Sequence, residues 1–548
     1  MIISEPVKLK AYSNVVYNRD KLFVRGIDEN FNRVSFYTDF TPTVWVDRLF
    51  NYHEWKKDII NIDFNSWRSF IGDEKLVGLT FKNIKSCREF VKANTHFVKD
   101  LNGNKVITNV HSAPSNMFVA EYIAKNFPNN EFSKGVDCSK FKVYTYDIET
   151  EIGHRNVSDR SKVKIRLKQT DEFVKVDTSI QTMTIMNFES IPNHDRYQLL
   201  NEETGEWVDY DEHPYRYIGG FPKPMEATEK VTLITVKNVN ENKIFTWGLE
   251  KFINKRDDVT YFYCKSEEEL LESFLSFLED DYPDIFLGFN SRSFDNTYMF
   301  HRIKNVLGEE NAQRLSPVRD VEVRVVEHNE YGHTIVETKF KGMQELDYLA
   351  LYKKFTYGNR ESYKLDSIAE DEIGTKKIPN PTGGSFKDFY TGKFVVLNEP
   401  NENDDPIKKM GYQRTLLRRQ VEERPNDEAL LKQYKSLDQK IIRECKQRFI
   451  EYNIRDVELI DKIDAKQKFI DLAMTIGYLA HCNFENVFSP VQTWDYMIFE
   501  NLYQQKKVIP IKQGGQKKEK FAGAYVKAPL VGAHKFCCSF DLDSLLIA

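Results

Sequence analysis

Residues 142–149 read KVYTYDIE. The run alternates and is rich in aromatic and β-branched side chains, which predicts a buried strand. Its two acids, Asp147 and Glu149, are spaced i and i+2, so on a strand both side chains leave one face. Charge at the end of a hydrophobic strand is unusual, because ionised groups are rarely buried unpaired. Downstream, VTLITV (231–236) and DIFLGF (284–289) predict two more strands, and EEELLESFLSFLEDD (267–281) has helical spacing. Strands alternating with helices predict a mixed α/β sheet domain from about residue 140 to 470.

On the N-terminal side, KLFVRGID, VSFYTDF and TPTVWV predict short strands in an α+β arrangement up to about residue 138. Residues 153–219 are polar with few periodic apolar positions and read as an insertion. Residues 318–340 alternate around a turn at Asn329–Gly332 and predict a long hairpin. A turn-rich stretch, 380–412, opens a second insertion that extends to about 425. From Asp427 to about Ile470 the helical period is sustained beyond a typical helix length, which predicts a break inside it. From about Ile511 a loop, KQGGQKKEK, leads to an apolar run at the end of the sequence.

At 548 residues, the chain is long enough for three or four units of roughly 150 residues each. A hydrophobic share of 41% and a charged share of 29% belong to a folded soluble protein. No apolar run approaches the roughly 20 residues of a membrane span, and MIISEPVKLK lacks a signal-peptide core, so no membrane partner is expected. The seven cysteines are scattered and never spaced CxxC, which argues against a disulfide framework or zinc knuckle and for a reducing, cytoplasmic setting. The eleven histidines show no HExxH spacing. A bound metal would therefore need oxygen ligands, which points to Mg2+ or Mn2+. The net charge of −5 does not advertise a nucleic-acid binder, although a basic footprint can be local.

Two further acids extend the set. Asp295 follows DIFLGF, near the handover from strand to helix, and Asp456 stands four residues after Tyr452, on the same face of a helix. Phosphodiester hydrolysis uses two divalent ions about 4 Å apart to clamp the attacking and leaving oxygens, and carboxylates are their natural ligands. A phenol beside a ligand could orient the attacking water. An isolated D-x-E is weak: Asp209 and Asp211 form a D-x-D to which no role attaches. The ordered set carries the reading.

At these residues the sequence resembles the family B DNA polymerases of the T-even bacteriophage type. Their exonuclease motifs D-x-E, N-x2-3-F-D and Y-x3-D stand here as Asp147-Ile148-Glu149, Asn290-Ser-Arg-Ser-Phe294-Asp295 and Tyr452-Asn-Ile-Arg-Asp456. FPKPMEATEKVTLIT (221–235), RIKNVLGEENAQRLSP (302–317), SYKLDSIAE (362–370), VFSPVQTWD (487–495) and GAYVKAPL (523–530) are also similar. The resemblance implies an N-terminal domain at 1–140 with a return segment at about 470–511. It further implies a ribonuclease-H-like 3′→5′ exonuclease at 141–469, with insertions at about 153–219 and 380–425, and the beginning of a polymerase palm at 512–548. It implies that Asp147, Glu149, Asp295 and Asp456 hold two Mg2+ ions and that Tyr452 positions the water. Phe221 would stack on an unpaired 3′ end, or else be a core aromatic at a strand start. Asn290 and Phe294 would hold the terminal nucleotide, or be a turn residue and a core ring. Lys517, Lys518 and Tyr525 would meet DNA between the two active sites of such an enzyme, or belong to a solvated loop. The hairpin would help part primer from template, or be an ordinary sheet hairpin.

The likeness departs at the C-terminus. KFCCSFDLDSLLIA matches the family's D-x-x-S-L-Y-P-S only through Asp541, Ser544 and Leu545. Asp541 alone cannot assemble a polymerase metal site. The expectation is a proofreading exonuclease acting on the single-stranded 3′ end of primer-template DNA. It would not polymerise without a second polypeptide carrying palm, fingers and thumb, and would meet a sliding clamp only indirectly. A split polymerase and a fragment both fit. A non-catalytic nucleic-acid-binding scaffold is the alternative, and a stand-alone repair nuclease a third. If phage-encoded, the protein would work in the host cytoplasm.

Overall fold

The computed structural model describes residues 2–3, 5–70, 73–94, 96–99, 105–108, 110–112, 117–127, 138–151, 162–167, 181–184, 188, 197–200, 206–209, 222–327, 334–356, 358, 360–384, 386–508, 532 and 535. The N-terminal strands expected from sequence are present. Leu9–Asn18, Lys21–Asp28 and Arg33–Thr38 form a sheet with Ile2–Ile3. Thr43–Asp47, Lys75–Phe81 and Ile59–Ser69 form a second sheet, bordered by Val110–Ser112 and by Lys507–Val508, which returns from far along the chain to pair with Arg68 and Ser69.

The central sheet has six strands: β1 (Val143–Thr150), β2 (Val231–Asn238), β3 (Lys243–Gly248), β4 (Val259–Tyr263), β5 (Ile285–Gly288) and β6 (Gln344–Asp347). Their order is β4-β3-β2-β1-β5-β6. β2 is antiparallel to β1 and to β3, while β3–β4, β1–β5 and β5–β6 are parallel pairs. This mixed α/β arrangement is consistent with the ribonuclease-H-like class. Period-2 alternation divides β1 between two layers. Tyr144, Tyr146 and Ile148 enter a core with Leu270, Phe274, Tyr298 and Phe300 from helices α1 (Glu267–Asp280) and α2 (Asp295–Leu307). Tyr146 stacks on Phe286 of β5 at 4.1 Å. The opposite face carries Thr145, Asp147 and Glu149.

That second face is covered by α4 (Glu428–Gln467), which is preceded by α3 (Pro406–Glu423). Two expectations are adjusted here. Residues 406–412 are not turn-rich but open α3, with Pro406 in its first turn and the Asp405 carboxylate accepting the Ile407 N–H at 2.8 Å. The break expected between Asp427 and Ile470 falls at the far end of that stretch and not in its middle: the helix runs for 40 residues and stops where Lys468 takes a left-handed φ of 57°, before a second helix at Phe469–Leu479. Its first half packs on α3 and its second half on β1 and β2, so tertiary support passes from one partner to the next. No Gly or Pro interrupts it.

The polar stretch 153–219 also proves more regular than expected. Gln181–Thr184, Lys162–Leu167, Tyr197–Leu200 and Trp207–Asp209 form their own antiparallel sheet, in which buried Ile165 faces buried Leu199. The predicted hairpin is present as Val321–Glu327 paired with Thr334–Phe340. Its turn residues, 328–333, lie outside the described residues.

The N-terminal sheet is tied to the base of β5 by buried charge. Arg33 donates to Asp284 at 2.6 Å and to Asp281 at 2.7 Å, while Arg25 donates to the carbonyls of Pro283 and Tyr282, both at 2.7 Å. Burial alone would raise the Asp284 carboxyl, but the guanidinium groups of Arg25 and Arg33 outweigh it and hold the carboxyl below its ordinary range. No helix among the described residues is long and apolar enough to cross a membrane.

Candidate active site

Asp147 and Glu149 are delivered by the end of β1, immediately before a bulge at Glu149–Thr150. Both project from the face that α4 covers. One turn of that helix brings up Tyr452, Asn453 and Asp456, all buried. Carboxylate oxygens of Asp147, Glu149 and Asp456 lie within 4.8 Å of one another, although 307 residues separate Glu149 from Asp456. The fourth acid, Asp295, is the first residue of α2 and lies beside this group rather than within it. The Ile148 N–H, between the two β1 acids, is among the groups that counter the rise of the Asp295 carboxyl.

Acids this close together oppose one another's ionisation. Burial raises each, and for Asp147 and Glu149 repulsion from Asp456 adds to it. Glu149 is pushed up to about 8 and Asp295, chiefly by burial, to about 7. Burial also raises Asp456, against the pull of Lys377.

Lys377 was not singled out in the sequence. Its ammonium lies 2.5 Å from Asp456 Oδ2 and 2.9 Å from Tyr452 Oη. It is brought there by a local stop. The helix Leu365–Ile373 ends at Gly374 with φ 66°, a conformation glycine adopts without strain, and Asp366 then accepts the Lys377 N–H at 2.7 Å. Asn453, also missed, donates to Asp147 Oδ2 at 2.7 Å. Its position inside the Tyr-x3-Asp motif was a usable signal. Lys377, in a loop with no periodicity, offered none.

The Tyr452 ring lies among Phe386, Phe389 and Phe449, and its hydroxyl reaches toward Lys377 and Asp456. Asn290 is exposed, with a left-handed φ of 62°. Its N–H donates to Asp347 at 3.2 Å and its side-chain oxygen accepts from Ser293 at 3.0 Å, which is the bonding of a turn. Phe294 is half-buried, with its ring 5.5 Å from Tyr298. Phe221, Lys517, Lys518, Tyr525 and Asp541 lie outside the described residues.

The donor set suits a hard divalent cation. It is all oxygen and mutually repulsive, and Asp456 Oδ1 is buried without a hydrogen-bond partner.

A family model described as DNA polymerase family B, exonuclease domain, matches residues 57–368. That stretch contains Asp147, Glu149 and Asp295, while Tyr452 and Asp456 lie beyond it. The chain is 33% identical to a DNA-directed DNA polymerase of Escherichia phage RB69 over 352 residues, which cover 60% of this chain and 33% of that polymerase. It is 33% identical to the DNA-directed DNA polymerase of Enterobacteria phage T4 over 289 residues, 53% of this chain and 26% of the other. A DNA polymerase of Paramecium bursaria Chlorella virus NY2A is 24% identical over 161 residues, 26% of this chain and 17% of that polymerase. The chain thus spans about a third or less of the curated relatives it matches.

Proposed function

Because the chain belongs to the family B DNA polymerases, through their exonuclease domain, we propose that it removes 3′-terminal nucleotides from DNA as a proofreading 3′→5′ exonuclease. The observation that carries this reading is the convergence of Asp147 and Glu149 from a strand with Asp456 from a helix more than 300 residues later, into one oxygen-lined group.

Asp147, Glu149, Asp295 and Asp456 would hold two divalent cations, Mg2+ or Mn2+. Such ions lower the pKa of a bound water and stabilise the departing 3′ oxygen. The chain's own residues do the rest. Asn453 fixes the Asp147 carboxylate, so one ligand oxygen is held in place. Lys377 offsets the excess negative charge and anchors the Tyr452 hydroxyl. Tyr452 orients the attacking water from the side of Asp456. Asn290 and Phe294, at the mouth between β5 and α2, steady the terminal nucleotide, with Phe221 stacking on its base. Lys517, Lys518 and Tyr525 contact the strand further back.

The domain division that goes with this reading is 1–140 with 470–511, 141–469, and a palm beginning at 512. Polymerisation would require a polymerase body beyond these residues, on the same or a second polypeptide, with Asp541 as one of its acids. The site of action is the cytoplasm of the host cell. The test is digestion of a 3′-labelled single-stranded oligonucleotide with Mg2+, comparing the chain with Asp147→Ala. Equal rates remove the enzyme assignment and leave a nucleic-acid-binding scaffold.

A further inference from the structure

We propose that the helix Phe386–Thr391, at the start of the stretch read from sequence as a second insertion, belongs to the nuclease site: Phe386 and Phe389 are positioning residues that hold the Tyr452 ring and so aim its hydroxyl at Lys377 and Asp456. The inference rests on the exonuclease reading above and deepens it.

A tyrosine hydroxyl sits at the far end of a rigid ring, so rotation about the side-chain bonds displaces it more than any other atom. Fixing the oxygen means fixing the ring. Phe386 meets the Tyr452 ring at 5.2 Å and 74°, and Phe389 meets it at 6.1 Å and 83°. Both are edge-to-face contacts, the geometry aromatic quadrupoles prefer. On the third side, Phe449 of α4 lies nearly parallel to Tyr452, at 6.4 Å and 18°. The two phenylalanines are themselves held: Phe389 is fully buried and meets Phe449 at 5.3 Å and 81°.

The short helix is locked at its exit. Gly392 has φ 67°, and a Cβ there would stand 2.7 Å from Ile442 Cα, so the backbone lies directly on α4. Buried Arg414 of α3 donates to the carbonyls of Gly392 at 2.8 Å and Phe394 at 2.5 Å, and pairs with Asp438 of α4 at 2.7 Å. The support therefore runs from α3 and α4 through Arg414 to the short helix, and from its rings to Tyr452. Phe386 and Phe389 do not touch the carboxylates by this path. They act through another side chain.

The experiment is a double-mutant cycle on the full chain with Mg2+ and a 3′-labelled single-stranded oligonucleotide. Phe386→Ala lowers kcat by roughly tenfold, as displacement of a positioned group does, with KM for DNA within about twofold. In a Tyr452→Phe background the same change costs less than about twofold, because the hydroxyl it positions is gone. Phe386→Leu, which keeps bulk and so guards against a folding defect in the alanine variant, shows the same coupling at smaller amplitude. Near-ultraviolet circular dichroism supplies a readout independent of catalysis: the Tyr452 signal, wild type minus Tyr452→Phe, collapses in the Phe386 variants. Equal losses of kcat in both backgrounds, or an unchanged Tyr452 signal, overturn the proposal. An inactive wild-type chain would instead sink the exonuclease reading, while the dichroism still decides the role of Phe386.

Discussion

Lys377 and Asp456 form an ion pair of 2.5 Å inside a cluster of acids, so the site carries its own partial counter-charge. The pair is not decorative surface chemistry: Asp456 is 5% exposed at its side chain and Lys377 25%. Lys377→Met is therefore expected to lower exonuclease turnover by about tenfold or more, since it frees Tyr452 and leaves Asp456 unpaired. Lys377→Arg recovers only part of the rate, because a planar fork does not reproduce a point charge between two oxygens. Single-turnover digestion at saturating DNA checks both.

Repulsion among the acids makes the metal-free site a source of instability. Asp147→Asn removes a carboxyl whose ionised form burial, Asp456, Asp295 and Glu149 all oppose. In EDTA this variant is expected to melt higher than the parent by a few degrees, on the order of 1 kcal/mol. Mg2+ should raise the melting temperature of the parent by mass action and that of the variant much less. Differential scanning fluorimetry with and without Mg2+ reads both effects, and a metal response equal in the two proteins would contradict a ligand role for Asp147.

The same site sets a pH dependence. In the metal-free fold Glu149 is pushed up to about 8, against an ordinary value of 4.5. Between those values the folded state binds more protons than the unfolded one, so stability falls as pH rises from about 4.5 to about 8, and the full penalty is present above 8. Mg2+ must displace those protons, so its apparent affinity strengthens over the same interval. Urea denaturation in EDTA at pH 6 and pH 8, beside a calorimetric Mg2+ titration in two buffers of different ionisation heat, measures the stability trend and the proton release.

Far from the site, Asp284 behaves in the opposite sense. Its carboxyl is held below the ordinary value of 3.8, Arg25 and Arg33 outweighing the cost of burial. It therefore contributes stability that is present above pH 3.8 and is lost as pH falls through its depressed folded value. Asp284→Ala leaves two guanidinium groups without their buried partner and is expected to cost about 3–5 kcal/mol. Chemical denaturation at neutral pH checks the magnitude. Turnover should be lost only as far as the fold is.

The elements that could be read from sequence were those whose signal is local. β1 and β2 emerged as short runs of β-branched and aromatic residues, buried along most or all of their length, and α1 from the helical spacing of its one buried face. The sheet in the polar stretch was not legible: its strands are only three to six residues long, too short for a period to stand out among polar neighbours. The full length of α4 was not legible for another reason, since what sustains it is a change of packing partner along its length.

The amino-acid order by itself determined which acids share a surface: Asp147 with Glu149 across one strand pleat, Tyr452 with Asp456 across one helical turn. Those relations follow from backbone geometry alone. Tertiary structure decided that the two surfaces face each other, that Asp295 stands at their edge, and that Lys377 and Asn453 complete the group. Contacts between residues far apart in sequence are set by which hydrophobic faces can be buried together, and no spacing along the chain encodes that choice.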